Sequence, residues 1–252
     1  MSMVERRISV YFAAVRDQYS TCVGCAVSVQ VRHAFIRKLL FILTVQLLLV
    51  AAVAMPILIK KKVRRFLRTN PWVFFLSLVI GVTLLLVLAC SEATRRRHPT
   101  NLLLLGAFTL AQGCVIGTAS ATYATNVPIV GVLITAAVSL ALIVYALQTS
   151  VDFTASGGML YSAVVVLIVV SLAEQYLGFK TLHLLTGGCA ALLFCAYLVF
   201  DVQLLASGES SYAVSADEYV FGAINIYTDV INLFLYFVQL VSQFGDVHDE
   251  LN

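Results

Sequence analysis

Seven times between Leu39 and Phe244 the chain runs for about 20 residues with almost no charge, the length a helix needs to cross the hydrocarbon core of a bilayer. The runs are Leu39–Ile59, Trp72–Cys90, Leu102–Thr122, Val127–Leu147, Gly158–Leu177, Leu184–Ala206 and Tyr219–Phe244. A backbone in lipid has no water to bond, so each run must satisfy its own N–H and C=O groups as a helix. Composition agrees, with 61% of residues hydrophobic and 12% charged. A soluble domain carries roughly 25% charged residues. The class is therefore all-α, a polytopic membrane protein built as a bundle of seven transmembrane helices.

The breaks between runs are short and of two kinds. KKKVRRFLRTNP (60–71) and SEATRRRHPTN (91–101) are basic, whereas SGESSYAVSADE (207–218) is acidic and rich in serine. Such short connections make one membrane domain, 39–244, preceded by a polar segment 1–38 and followed by a short acidic tail 245–252. The first run is too long for the apolar part of a secretory signal, so no signal peptide is expected. By Arg97 the chain has used fifteen of its sixteen Lys and Arg but only three of its thirteen Asp and Glu. Basic loops usually report topology, yet the nine cations on one side and seven on the other do not choose an orientation. Lys and Arg beside a membrane also attract anionic lipid headgroups, so membrane lipid is an expected partner.

The last run is the least uniform. Glu218, Gly222, Asn225, Asp229, Asn232, Tyr236 and Gln239 recur at alternating steps of four and three, which places them on one narrow helical face. Val220, Ile224, Val230, Ile231, Leu235 and Val238 take the other face. A polar stripe in a spanning helix looks into the bundle or onto water. An Asp near the middle of a span costs roughly 2.5–3.5 kcal/mol on insertion scales, and no cation lies within the runs of this acidic half. The nearest chemically sensible partner for Asp229 is another acid. Asp201, in LLFCAYLVFDVQLL, supplies it near the end of the sixth run.

Two carboxyls in a poorly hydrated site cannot both ionise cheaply, so one keeps its proton. Protonated, and sharing a hydrogen, they form a latch with one net charge at most. Ionised, they repel each other and offer oxygen ligands suited to calcium. The expectation is a pH-sensitive gate or ion site at Asp201 and Asp229, lined by Glu218, Asn225 and Asn232. With both helices starting level at the link, the two acids stand offset by roughly 10 Å, which a stagger or tilt must close. Arg95, first of three arginines after the second run, could latch the pair through a charge-assisted bond.

Other polar residues carry less. Gln112 reads as interhelical glue and Glu174 as an interfacial residue. Cys22 and Cys25 form one C-x-x-C without a second pair, and the four histidines show no ligand spacing. No nucleotide loop, zinc-protease motif or nucleophile elbow occurs, and no nucleic-acid partner is expected.

Four stretches resemble the Bax inhibitor-1 family, also called the transmembrane Bax-inhibitor-motif or Lifeguard family. They are VRHAFIRKLLFILTVQLLL (31–49), IVYALQTSVDFTASGGML (143–160), LLFCAYLVFDVQLL (192–205) and DEYVFGAINIYTDVINLFLYFVQL (217–240). Within it they look closest to the Golgi anti-apoptotic branch, which includes copies carried by large DNA viruses. The arginine- and alanine-rich drift and the short tail would suit a viral copy, for instance from a cytomegalovirus. The resemblance implies a bundle whose last helix is central, wrapped by the others. It also implies an acid pair, matched here by Asp201 and Asp229, that responds to pH and governs calcium leak from the endoplasmic reticulum or Golgi and so blunts apoptosis. In a bacterial relative an arginine after helix two latches the pair, and Arg95 stands at roughly that place. The family's members are not enzymes. Calcium and other cations are then the permeant partners, apoptosis regulators further ones, and oligomerisation stays open. Two features depart from the pattern. Gln112 stands where the Golgi branch tends to carry a glutamate, and 60–71 is more basic than a lumenal loop should be.

Two other functions compete. A membrane-embedded interaction protein would use the same acids only structurally. An intramembrane aspartyl protease would also need paired aspartates on helices six and seven, but it carries Gly-x-Gly-Asp where this chain has Ile226-Tyr227-Thr228-Asp229.

Overall fold

A computed structural model describes residues 36–91, 97–178, 180–206 and 219–251. Eight helices occur among them: α1 (Ile36–Ile59), α2 (Lys61–Thr69), α3 (Trp72–Cys90), α4 (Thr100–Ser120), α5 (Asn126–Gln148), α6 (Gly157–Leu177), α7 (Lys180–Ala206) and α8 (Tyr219–Leu251). All but α2 are long and apolar enough to span a membrane, giving the seven spans expected. Their ends fall within a few residues of the sequence reading, because prolines and a glycine mark several of them. Pro71 and Pro99 stand immediately before α3 and α4. Gly178 closes α6 in the left-handed region at φ 66°, its N–H bonded to Glu174 O, a conformation glycine adopts without steric penalty.

Successive spans alternate in direction, so the bundle has two rims. The upper rim gathers the starts of α1, α4 and α8. There Asn101 Nδ2 donates to Tyr219 Oη at 3.2 Å, and Lys38 Nζ sits 3.4 Å from the centre of the Tyr219 ring. The lower rim gathers α2, the 121–125 turn, the α6–α7 turn and the end of α8.

α8 is the central helix. Half of its membrane window is buried within the protein, the largest share of the seven. Val220, Ala223, Tyr227 and Leu233 are fully enclosed, most of the apolar face is buried, and of the polar stripe Gly222 and Asp229 are buried while Asn225, Asn232, Tyr236 and Gln239 are half-buried. The apolar face therefore meets other helices and not lipid. Close packing is allowed where a neighbour is small: a Cβ on Gly131 of α5 would lie 2.5 Å from Val238 Cγ2, and one on Gly222 of α8 2.7 Å from Leu205 Cδ2. α8 is also continuous through Gly245, and its helix runs on into the segment expected as a tail.

The basic stretch 60–71 separates two spans, as expected, and it carries a helix of its own. It is mostly α2, whose Leu67 is buried and whose Val63 packs beside Ile57 and Ala121. Arg64 Nε and Arg68 Nε donate to Ala121 O at 3.0 and 2.8 Å, Arg68 Nη2 to Thr122 O at 2.9 Å, and Arg64 also to Tyr123 O and to Thr125 Oγ1. The last carbonyls of a helix have no partner of their own, and here two guanidinium forks hold the chain as it leaves α4.

Candidate functional site

α7 and α8 form an antiparallel pair. Going down α8, Gly222 meets Leu205, Tyr236 stacks on Phe194 with ring centres 5.7 Å apart, and Gln239 meets His183. This register brings Asp201 and Asp229 together, and their carboxyls are hydrogen-bonded to each other. The expected offset is closed by stagger. Gly222, and not Tyr219, stands opposite the end of α7, so α8 starts about one turn beyond it. The few ångströms left are within reach of two side chains.

The pair is deep in the protein, with Asp201 8% and Asp229 5% exposed. A carboxylate has no hydrogen to give, so a bond between two carboxyls means that one is protonated. Tyr197, one turn before Asp201, is within electrostatic reach of both. Asp229 Oδ2 has no hydrogen-bond partner.

That oxygen is not alone. Leu39 lies against Gly222, Phe108 packs edge-on to Tyr227 at 5.8 Å, and Gly131 faces Val238. Counting along each helix from these contacts, at about 1.5 Å per residue, places Gln46, Thr109 and Ser139 level with Asp229 to within a turn. Gln46 Nε2 donates to Thr109 Oγ1 at 3.2 Å, and Thr109 Oγ1 donates to Leu105 O. Gln46 Oε1, Ser139 Oγ, Tyr227 Oη and Thr228 Oγ1 are buried without a partner. A polar layer crosses the bundle at mid-span, built from α1, α4, α5, α7 and α8. Each orphaned group costs about 1–3 kcal/mol while unsatisfied, so water or a passing cation gains most in this layer.

Of the predicted site residues, the structure joins Asp201 and Asp229. Asn225 and Asn232 are half-buried on the same side of α8. Glu218 and Arg95 lie outside the described residues, as do Cys22 and Cys25. Gln112 lies beside Gly81 of α3. Among the described residues no third His, Cys, Asp or Glu joins the pair. Calcium takes six to eight oxygens, more than two carboxyls offer by themselves.

Three residues with no evident link along the chain meet at the lower rim. Glu174, 7% exposed, pairs with His183 Nδ1 across the tight α6–α7 turn. Gln239 Nε2 approaches His183 Nε2 at 3.1 Å and donates to His183 O at 3.3 Å. Glu174 thus stands at the edge of its span, as expected, and is in addition buried and paired. At the upper rim Gln203 accepts from Phe153 N and donates to Val151 O, both at 2.8 Å, fixing the α5–α6 connection onto α7.

A family model described as Inhibitor of apoptosis-promoting Bax1 (Bax1-I) matches residues 32–246. Protein lifeguard 3 of Homo sapiens is 37% identical over 216 residues, spanning 84% of this chain and 69% of the relative. Its counterpart in Mus musculus is 36% identical over 216 residues, 84% of this chain and 70% of that protein. Golgi anti-apoptotic protein of vaccinia virus (strain Lister) is 33% identical over 223 residues, covering 88% of this chain and 90% of the viral protein.

Proposed function

Since this chain belongs to the Bax1-I family, whose model spans all seven helices, we propose that it is a multi-pass protein of Golgi or endoplasmic reticulum membranes that opposes apoptosis by letting calcium leak from the store. It works as a passive path and not as an enzyme. The relatives named lifeguard and Golgi anti-apoptotic protein support the compartment and the anti-apoptotic role. The observation that carries the leak is the hydrogen-bonded pair Asp201–Asp229 at the centre of a membrane bundle.

The mechanism follows from the shared proton. With the proton in place, the pair is a short bridge with a single net charge at most, and it ties α7 to α8. Loss of that proton leaves two carboxylates that repel each other and attract a cation. Gain of a second leaves two neutral groups with no affinity for one. Ion passage therefore depends on pH through this pair, while the orphaned oxygens of Gln46, Ser139, Tyr227 and Thr228 supply partial ligands as the ion sheds water. Cytosolic apoptosis regulators act downstream of the lowered store.

The test is reconstitution of the full chain into vesicles loaded with calcium and an indicator dye. Asp201→Asn and Asp229→Asn keep shape and hydrogen bonding but remove the titrating group. Each should flatten the pH dependence of efflux, and the double variant should abolish it. Unchanged efflux and unchanged pH response in all three would refute the gate. Cells still protected by the double variant would then favour an interaction role in which the acids are structural.

A further inference from the structure

A cavity lies apart from the acid pair. It is an apolar cleft of ≈ 300 Å³ between α1 and α5, floored by α4 and by Val230, Ile231 and Phe234 of α8. Along α1 it runs from Leu47 to Leu58, about 16 Å, or about half of a ~30 Å hydrocarbon core. Its lining is almost wholly hydrocarbon. Of the two hydroxyls that reach it, Thr135 is already bonded to Gly131 O. Its side walls are residues exposed within spanning segments, such as Ala51, Met55, Val132 and Ala136, so the medium outside it is lipid.

The chain that continues from the lower end of the cleft is basic. Two residues past Leu58 come Lys60, Lys61 and Lys62, all exposed, followed one turn later by exposed Arg65. None of these four side chains has an ion pair or hydrogen bond among the described residues, whereas Arg64 and Arg68 are spent on hydrogen bonds to the 121–125 turn. Phe66 and Trp72, 54% and 58% exposed, follow this cluster. Exposed aromatics beside lysines mark the level of the membrane interface. A slot one leaflet deep, apolar along its length and cationic at its interfacial end, has the pattern of a single phospholipid.

We propose that the cleft binds one anionic phospholipid, its acyl chain laid between α1 and α5 and its phosphate and headgroup held by Lys60, Lys61 and Lys62. The chain's inner end abuts Val230, the residue after Asp229. The site stands on the cleft and the lysines alone and is independent of the leak assigned above.

Native mass spectrometry of the full chain, stripped of lipid in detergent, tests it with dioleoylphosphatidylserine and dioleoylphosphatidylcholine as probes. One phosphatidylserine should be retained with at least a tenfold preference, given roughly a fivefold gain per nearby Lys. Neutralisation in K60Q/K61Q/K62Q should erase that preference, and Arg37→Gln at the opposite rim should leave it intact. Ala51→Trp should fill the cleft and lower retention of both lipids, with Ala136→Phe from the other wall as a second filling variant should the first fail to fold. Unfolding midpoints in the same detergent establish that each variant is folded. Equal retention of the two lipids by the unaltered chain would overturn the anionic site. Wild-type phosphatidylserine retention in a folded cleft-filling variant would overturn the cleft, leaving only headgroup adsorption on α2.

Discussion

Two polar regions of the bundle are built on opposite terms. At the lower rim, Arg64 and Arg68 make five hydrogen bonds to the 121–125 turn, and their guanidinium groups sit where water is close. At mid-span, five buried polar atoms of Gln46, Ser139, Tyr227, Thr228 and Asp229 have no partner at all. The first arrangement is saturated and holds two segments in place. The second keeps unspent bonding capacity in the driest part of the molecule, where it is destabilising unless something mobile uses it. The contrast separates groups whose bonding holds the fold from groups whose bonding capacity the fold leaves open.

The largest effect expected from breaking this contrast is at the clamp. Arg64→Ala with Arg68→Ala strands the carbonyls of Ala121, Thr122 and Tyr123. The loss should be about 3–5 kcal/mol, taking about 1.5–3 kcal/mol for each charged group's bonding and allowing for partial rescue by water, as read by chemical unfolding in micelles. Calcium efflux per folded molecule should stay the same. The polar layer should behave in the reverse manner. Ser139→Ala and Thr228→Val remove orphaned hydroxyls, so stability should hold or rise by up to about 1 kcal/mol, while efflux falls severalfold in loaded vesicles. A clear loss of stability there would show that these hydroxyls are structural after all.

Packing gives an intermediate case. A side chain at Gly131 collides with Val238, and Gly131→Leu should cost about 1–3 kcal/mol, visible as a lower unfolding midpoint. The smallest effect concerns Asp152 on the upper rim. Its carboxylate accepts from Thr154 Oγ1 at 2.6 Å and from Thr154 N at 2.8 Å, and the side-chain bond, then the backbone one, holds its pKa below the ordinary carboxylate value. That contribution is present above the ordinary carboxylate range and lost as pH falls through the lowered value. Thr154→Val should move the pKa upward, measurable by NMR titration, with scarcely any change in the unfolding midpoint.

The seven spans were legible because the bilayer sets their length and the loops carry the charge. The stripe on α8 was legible too, since alternating steps of four and three on a helix leave only one face. What the sequence could not supply was height. The link 207–218 does not state where α8 begins relative to the end of α7, and one turn of stagger decided whether Asp201 and Asp229 met. The helix within 60–71 was hidden for a different reason. Six cations in twelve residues outweighed the four-residue spacing of Val63 and Leu67 and of Arg64 and Arg68, which was the available sign of a short amphipathic helix. The pairing of Glu174 with His183 was hidden by a turn whose geometry depends on one left-handed glycine.

The position of α8 also constrains how the molecule is made. It is the last of the seven spans to leave the ribosome and the least hydrophobic, with a mean hydropathy of 1.4 against 1.8–2.9 for the others. Until it arrives, the earlier spans surround an unfilled socket, and by itself it is a poor match for lipid. Insertion of this helix is therefore the step that completes the bundle, and a chain that stops short of it lacks its keystone.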